Sequence, residues 1–170
     1  NCGSHLIDLV THLFGMPDRV RCLDTIDDGR SGDEATLDVA LHYDADPARP
    51  GFVGYLEGVD HRCFFCFELD IIGTHGRVQF RDRGEVIEVY RVHDDPTYSG
   101  YRTLTQTRTV DGKLVRALPL AVDELAERSM EEQATVSGCT GREAAAILQV
   151  IQKVFQSQGQ QNTFVDLTSR

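Results

Sequence analysis

The feature that most constrains this fold is a run of strand-like segments between two helical patterns. Residues 36–43 alternate apolar and polar side chains, which is the period of a half-buried strand. Further strand candidates are the segments 19–25, 52–60, 63–72, 77–81, 85–92 and 103–110. Turn residues separate several of them, so the pattern predicts a large, mostly antiparallel open sheet.

Helices are predicted at both ends of the strand run. Segment 4–14 repeats its apolar residues at helical spacing, with Ser4 as a candidate N-cap and Gly15 as a stop. Segment 141–157 carries a continuous apolar stripe, 122–134 reads as an acidic helix, and a final strand is expected at 163–167. The Asp111-Gly112 pair predicts a hairpin into a strand at 113–118. The fold class is therefore α+β, with helices packed on one face of the sheet.

One strand candidate raises the question of what covers the other face of the sheet. Segment 63–72 is apolar on both faces through much of its length. A strand of this kind needs cover on both sides, so we expect another subunit to supply one of them.

Length, charge and cysteine content narrow the class of protein. At 170 residues we expect a single domain over 1–170. The chain has 27 acidic residues and 17 Lys and Arg, which gives a net charge of −10. This charge argues against nucleic acid and anionic membranes as partners. Five cysteines without regular spacing predict reduced thiols in a cytoplasmic protein, and no stretch is apolar enough to span a bilayer.

The first helix carries the most chemistry in this sequence. His5, Asp8 and His12 lie at i, i+3 and i+7 and so share one side of it. They could form a catalytic histidine with a carboxylate that orients it, a metal site, or a polar stripe opposite the apolar face. A metal needs three or four converging ligands, and this spacing is no established zinc pattern, so we predict no metal. From the residues alone, the polar stripe is the simplest interpretation.

Two other motifs have structural interpretations. Cys63 and Cys66 form a CxxC inside a strand pattern, where positions i and i+3 point to opposite faces, so structural cysteines are expected. Gly-Thr-His-Gly at 73–76 lies between two strands and predicts a hairpin turn rather than a phosphate loop. The sequence contains no Gly-x-Gly-x-x-Gly, no Gly-x-Ser-x-Gly and no Walker A loop.

Residues 1–17 resemble a motif of the Gfo/Idh/MocA oxidoreductase family, to which glucose–fructose oxidoreductase and inositol dehydrogenase belong. The chain reads Asn-Cys-Gly-Ser-His-Leu-Ile-Asp-Leu at 1–9 and Leu-Phe-Gly-Met-Pro at 13–17. The family has Asp/Asn-x-Gly-x-His-x-Ile-Asp-Leu followed by Leu-Phe/Met-Gly-x-Pro. Segment 69–76 is similar to the family's Ile-x-Gly-Thr-x-Gly turn, and 141–165 is similar to its closing helix and strand.

The resemblance implies a function for the full-length protein. Family members join an N-terminal Rossmann domain, which binds NAD or NADP, to a C-terminal domain built on an open sheet, similar in fold to that of dihydrodipicolinate reductase. Hydride passes between the nicotinamide and a sugar, polyol or related substrate. The resemblance places proton transfer on His5, helped by Asn1, with Asp8 supporting the helix or substrate pocket. It also implies a homodimer or tetramer through the sheet face.

The sequence differs from the family pattern at two points. The Rossmann domain and the lysine of its Glu-Lys-Pro motif are missing from these residues, so no cofactor-binding residue is expected here and the isolated chain should be inactive. Asn1 stands where Asp is commoner, and an amide can hydrogen-bond but cannot act as a base. Two alternatives remain open: a non-catalytic family member that binds a sugar or a protein partner, and an unrelated α+β dimerisation module.

Overall fold

The structure is a computed structural model that describes residues 2–26, 36–47, 50–60, 63–128 and 138–167. Its helices are α1 (Cys2–Phe14), α2 (Ala117–Arg128) and α3 (Gly141–Gly159). Its strands are β1 (Arg19–Ile26), β2 (Thr36–Tyr43), β3 (Phe52–Leu56), β4 (Leu69–Gly73), β5 (Gly76–Arg81), β6 (Val86–Asp94), β7 (Arg102–Asp111) and β8 (Val165–Asp166). They divide between two compact units, Asn1–Phe64 with Cys139–Arg170, and Phe65–Gly138.

The first unit is a helix-covered antiparallel sheet with strand order β3-β2-β1-β8. Alternate residues of each strand face α1 and α3, and on this face Val20, Leu41 and Tyr43 are almost fully buried. The helices contribute a matching apolar stripe, which includes Ile7, Val10, Ile147, Val150 and Val154. Phe14 closes one end of this core by packing edge-on against the stacked rings of Tyr43 and Phe52.

The second unit is a four-stranded antiparallel sheet with order β4-β5-β6-β7. Its register separates two faces, one mostly apolar and one mostly polar. One face, called the apolar face below, carries seven apolar side chains, none of them fully buried: Leu69, Ile71, Val78, Phe80, Ile87, Val89 and Val110. The other is polar, and there Glu88 accepts hydrogen bonds from Arg81 and Tyr90 while Arg77 pairs with Asp70.

The predicted α+β class is confirmed, and the antiparallel strands pair as two sheets of four. The predicted hairpin turn at 73–76 is also confirmed, because β4 pairs with β5 directly across it. A side chain on Gly76 would overlap the backbone carbonyl oxygen of Tyr90, which explains a glycine at that position. The first helix begins at Cys2, so Ser4 lies inside its first turn and is not the N-cap.

The predicted strand at 63–72 is wrong in its first half, since β4 begins at Leu69. Cys63 instead lies in a turn, where its backbone N–H donates to the Asp60 carbonyl oxygen. Among the three phenylalanines that follow, Phe67 is buried, whereas Phe64 and Phe65 are 60% and 51% exposed. The apolar run at 63–68 therefore contains one buried phenylalanine and two exposed ones, and it is not a strand buried on both faces.

The predicted strand at 113–118 is also wrong. The chain leaves β7 through Gly112, whose N–H donates to the Glu85 carbonyl oxygen, and Lys113 takes a left-handed conformation. A 3-10 turn over Leu114–Arg116 then leads directly into α2. The Glu85 carboxylate accepts from the Val115 N–H at 2.6 Å and so holds a free donor at this helix start.

The remaining elements agree with the sequence pattern to within a few residues. The acidic helix lies at Ala117–Arg128, earlier than the predicted 122–134, of which 129–134 fall outside the described residues. The final strand is limited to two residues, Val165 and Asp166. In the part of the chain that the structure describes, no helix is both long and apolar enough to cross a membrane.

Candidate functional site

The candidate site is the outer side of α1. Ile7 and Val10 face the core and are buried, whereas His5 and His12 are exposed and Asp8 is partly exposed. The amphipathic helix therefore places its two histidines toward solvent, as the spacing predicts. The exposed His5 side chain makes its imidazole accessible to an incoming group.

The predicted set of site residues is brought together only in part. His5 and Asp8 lie one helical turn apart on α1, which agrees with the sequence prediction. Asn1 falls outside the described residues, so its predicted contribution stays a prediction. Among the described residues, no three His, Cys, Asp or Glu side chains converge as metal ligands would.

A second element reaches this side of α1, and the sequence analysis missed it. Asp8 interacts with Cys139, which directly precedes α3. Desolvation, together with the negative charges of Asp8 and Glu143, raises the pKa of the exposed Cys139 thiol, which therefore stays protonated at neutral pH. The thiol donates to the Thr140 carbonyl oxygen at 3.6 Å, so Cys139 lies near Asp8 as a neutral group rather than as a nucleophile.

The start of α3 is fixed by a capping box. Thr140 accepts from the Glu143 N–H at 3.2 Å, and the Glu143 carboxylate accepts from the Thr140 N–H at 2.7 Å. These hydrogen bonds from Thr140, together with the nearby positive charge of His12, lower the pKa of Glu143. The motif Thr-x-x-Glu signals this cap in the sequence, although the contact with α1 depends on how the two helices pack.

The outer face of the first sheet holds another cluster that sequence reasoning did not identify. Arg19 and Arg21 of β1 place their guanidinium carbons 5.6 and 5.3 Å from the ring centre of Phe164. His42 of β2 meets the same ring edge-on, with centroids 4.6 Å apart. The alternation of arginines in β1 was visible in the sequence, but the pairing with Phe164 joins residues more than 140 positions apart.

The sequence and the fold both match known proteins. The profile of the "Oxidoreductase family, C-terminal alpha/beta domain" matches residues 1–167. No curated protein sequence gives a significant match. A solved protein from Desulfitobacterium hafniense, named as an NADPH-dependent oxidoreductase, is 16% identical with a TM-score of 0.67 over 96% of this chain and 46% of its own.

Two further solved structures are similar over nearly the whole chain. A levoglucosan dehydrogenase in complex with NADH and levoglucosan is 12% identical, with a TM-score of 0.65 over 96% of this chain and 48% of its own. An oxidoreductase from Bacillus cereus is 15% identical, with a TM-score of 0.61 over 99% of this chain and 50% of its own. The chain thus spans about half the length of these structures. Since the family profile covers 1–167, the chain belongs to the Gfo/Idh/MocA oxidoreductase family and represents its C-terminal α/β domain.

Proposed function

We propose that this chain is the substrate-binding and oligomerisation domain of an NAD(P)-dependent oxidoreductase that acts on a sugar, polyol or related alcohol or carbonyl. The observation that carries the proposal is the position of His5, exposed on the outer side of α1 within the family motif. The neighbour solved with NADH and levoglucosan supports a sugar-like substrate and a nicotinamide cofactor.

In this proposal His5 moves the proton that accompanies hydride transfer. Oxidation of an alcohol releases a hydroxyl proton, and a neutral imidazole within hydrogen-bond reach accepts it; reduction of the carbonyl runs the same transfer in reverse. The nicotinamide, when bound by the rest of the full-length protein, supplies or accepts the hydride. The exposed imidazole leaves room for a substrate hydroxyl, and Asp8 lies one helical turn away on the same side of α1.

The test is a pair of histidine substitutions in the full-length enzyme. His5→Asn should lower kcat by about 10²–10⁴-fold, the usual contribution of a positioned acid or base, and should remove a pKa from the pH–rate profile. His12→Asn is the matched control, because His12 is exposed on the same helix two turns away, and it should leave kcat within about twofold. Unchanged turnover in His5→Asn would contradict the assignment of proton transfer to His5, whereas a wild-type protein without turnover would favour a non-catalytic member of the family.

The isolated 170-residue chain should show no NAD(P)H-dependent turnover. The reason is that the cofactor carries the hydride and the sequence has no dinucleotide-binding fingerprint. Turnover by this chain alone, measured as NADH oxidation with a panel of sugars, would contradict the assignment of roles. The cytoplasm remains the proposed compartment, on the unpatterned cysteines of the sequence.

The oligomerisation part of the proposal rests on the apolar face of the second sheet. Within the described residues its apolar side chains stay partly exposed, and α2 buries none of its own side chains. An apolar face of this width is costly in water and is typical of an interface, so a second copy is the proposed cover. This observation replaces the two-faced strand at 63–72 as the reason for expecting a homodimer.

A charge placed on either face of the second sheet tests this proposal. Ile87→Glu introduces a carboxylate on the apolar face and should convert a dimer to a monomer by sedimentation or light scattering. Ile72→Glu makes the same change on the polar face and should leave the assembly intact, since Ile72 is 76% exposed and lies opposite Arg77. A wild-type protein that stays monomeric at high concentration would overturn the proposed homodimer.

A further inference from the structure

We propose that the outer face of the first sheet carries an oxyanion site, formed by Arg19, Arg21 and His42 around Phe164, that takes a phosphate or carboxylate group. The site lies on the sheet face opposite α1 and α3, and goes beyond the activity proposed above. It rests on how these four side chains are arranged, and on how few of their donors are used.

The strand register places the cluster. Arg19 lies directly opposite His42, and Arg21 lies opposite Ala40. Both arginines and His42 therefore project from the face that the helices do not cover. Val20 and Cys22 alternate with the arginines and are fully buried toward the helices. The short chain segment before β8 brings Phe164 onto the same outer face, beside both arginines.

The two guanidinium groups are held in place before any ligand arrives. Both lie within the cation–π range of one ring, which is 43% exposed. Arg21 is further fixed by its Nε–H, which donates to the Asn162 carbonyl oxygen at 2.8 Å. Arg19 donates from a terminal nitrogen to the Asp44 carboxylate at 2.7 Å. Side chains that are already ordered lose little further entropy when they bind a ligand.

Most of the donors of this cluster have no acceptor. A guanidinium has five N–H donors in a planar fork that matches a phosphate or a carboxylate. Among the described residues, the four terminal donors of Arg21 have no hydrogen-bond acceptor, and Arg19 donates from one terminal nitrogen only, to Asp44. A bound oxyanion would supply acceptors to the remaining terminal donors.

His42 lies beside both arginines and provides a probe for an anion bound there. The carboxylates on the same face of the sheet are Asp24, Asp38, Asp44 and the exposed Asp166. Burial lowers the pKa of His42, and the positive charges of Arg19 and Arg21 lower it further against the opposing effect of Asp44. Asp44 pairs with Arg19, whereas among the described residues no ion pair joins Arg21 to a carboxylate. An oxyanion is therefore a ligand that the Arg21 guanidinium can take.

The experiment follows the His42 imidazole by NMR while inorganic phosphate or acetate is added at constant ionic strength, with chloride as the reference anion. Binding should raise the pKa of His42, because a nearby anion stabilises the imidazolium, and the affinity should increase as pH falls. A response to phosphate alone identifies a phosphate site, and a response to acetate identifies a carboxylate site. No shift beyond the chloride reference with either anion would overturn the proposal.

Substitutions localise the effect. Arg21→Gln should weaken binding about tenfold or more, and Arg21→Lys should retain part of the response because it keeps the charge but loses the planar fork. The matched control is Arg91→Gln, an exposed arginine in the second unit, which should bind as the wild type does. An equal loss in Arg21→Gln and Arg91→Gln would show a general charge effect and would also overturn the proposal. The NMR spectrum itself reports whether each variant is folded.

Discussion

The two four-stranded sheets of this chain have the same antiparallel pairing but are covered very differently. In the first sheet, Val20, Leu41 and Tyr43 are 0–2% exposed beneath α1 and α3. In the second, seven apolar side chains share one face and none of them is fully buried within the described residues. Alternation along a strand therefore determines which side chains share a face, whereas burial depends on what the rest of the molecule places against it.

The largest difference in unfolding free energy should appear when a leucine in each sheet is truncated to alanine. Leu41→Ala should cost about 2–5 kcal/mol of unfolding free energy, since it leaves a cavity in a packed core. Leu69→Ala should cost less than about 2 kcal/mol, because Leu69 is already partly exposed. Urea unfolding, with hydrogen exchange to separate the two units, measures both.

The same pair also tests the coverage of the second sheet. An equal cost for the two substitutions at low protein concentration would mean that both faces are buried in the single chain. A cost for Leu69→Ala that grows with protein concentration would instead show cover supplied by a second copy.

The next largest effect is expected where the backbones of β5 and β6 lie too close together for an added side chain. Gly76→Ala should destabilise the β5–β6 pair by about 3 kcal/mol, because a methyl group would overlap the Tyr90 carbonyl oxygen. Gly73→Ala is the control at the other end of the same turn, where the nearest atom to an added methyl is 3.7 Å away. Exchange rates of the β6 amides give the measurement. Similar protection in both variants would show that β5 and β6 do not approach as closely as the structure indicates.

A buried hydroxyl should show how strongly the first unit depends on its polar contacts. Ser157 is fully buried; its Oγ accepts from the Cys22 N–H at 2.9 Å and its hydroxyl donates to the Thr163 carbonyl oxygen. Ser157→Ala should cost about 1–3 kcal/mol, because both backbone groups lose their partner. The exposed Ser99→Ala should change stability by less than about 0.5 kcal/mol. A Ser157→Ala variant as stable as the wild type would show that the end of α3 readjusts.

The smallest expected effects are pH dependences that differ between the units. His42 has a lowered pKa, chiefly through burial, so the unfolded first unit binds more protons below pH 6.5 and its stability falls as the pH drops through that value. Asp70 has a pKa lowered by Arg77, so its contribution to the second unit is complete above pH 3.8 and is lost as the pH falls through its lower folded value.

Unfolding free energies from pH 7.5 to pH 3 should therefore fall first in the first unit. His42→Gln should flatten the upper part of that curve and leave the lower part unchanged. Simultaneous losses in both units at the lower pH would contradict the assignment to His42.

The sequence predicted most of the fold where a local period was strong. The strand at 36–43, the turn at 73–76 and the helix from Gly141 all appear with boundaries close to the prediction. It failed at 63–68 and 113–118, where an apolar run and a turn signal were compatible with several backbones. There the outcome was decided by burial of one phenylalanine and by the hydrogen bonds that Glu85 accepts from Gly112 and Val115.

The site divides in the same way. The histidine spacing on α1 was sufficient to predict that His5 and His12 would both face outward. The contact of Asp8 with Cys139 was not predictable, because it joins residues far apart in the chain through the packing of two helices. The same holds for the stacking of Arg19 and Arg21 on Phe164.

By itself, the sequence determined the α+β class, the family and the histidine that we assign to proton transfer. Each depends on residues close together in the chain, whose spacing sets a helix face, a strand face or a motif. Only the tertiary structure decided that Ser157 bridges β1 and the turn after α3, and that Arg19 and Arg21 stack on Phe164. It also decided that helices bury one face of the first sheet, whereas the apolar face of the second stays partly exposed among the described residues. These features depend on long-range packing, which brings together residues that no local period relates.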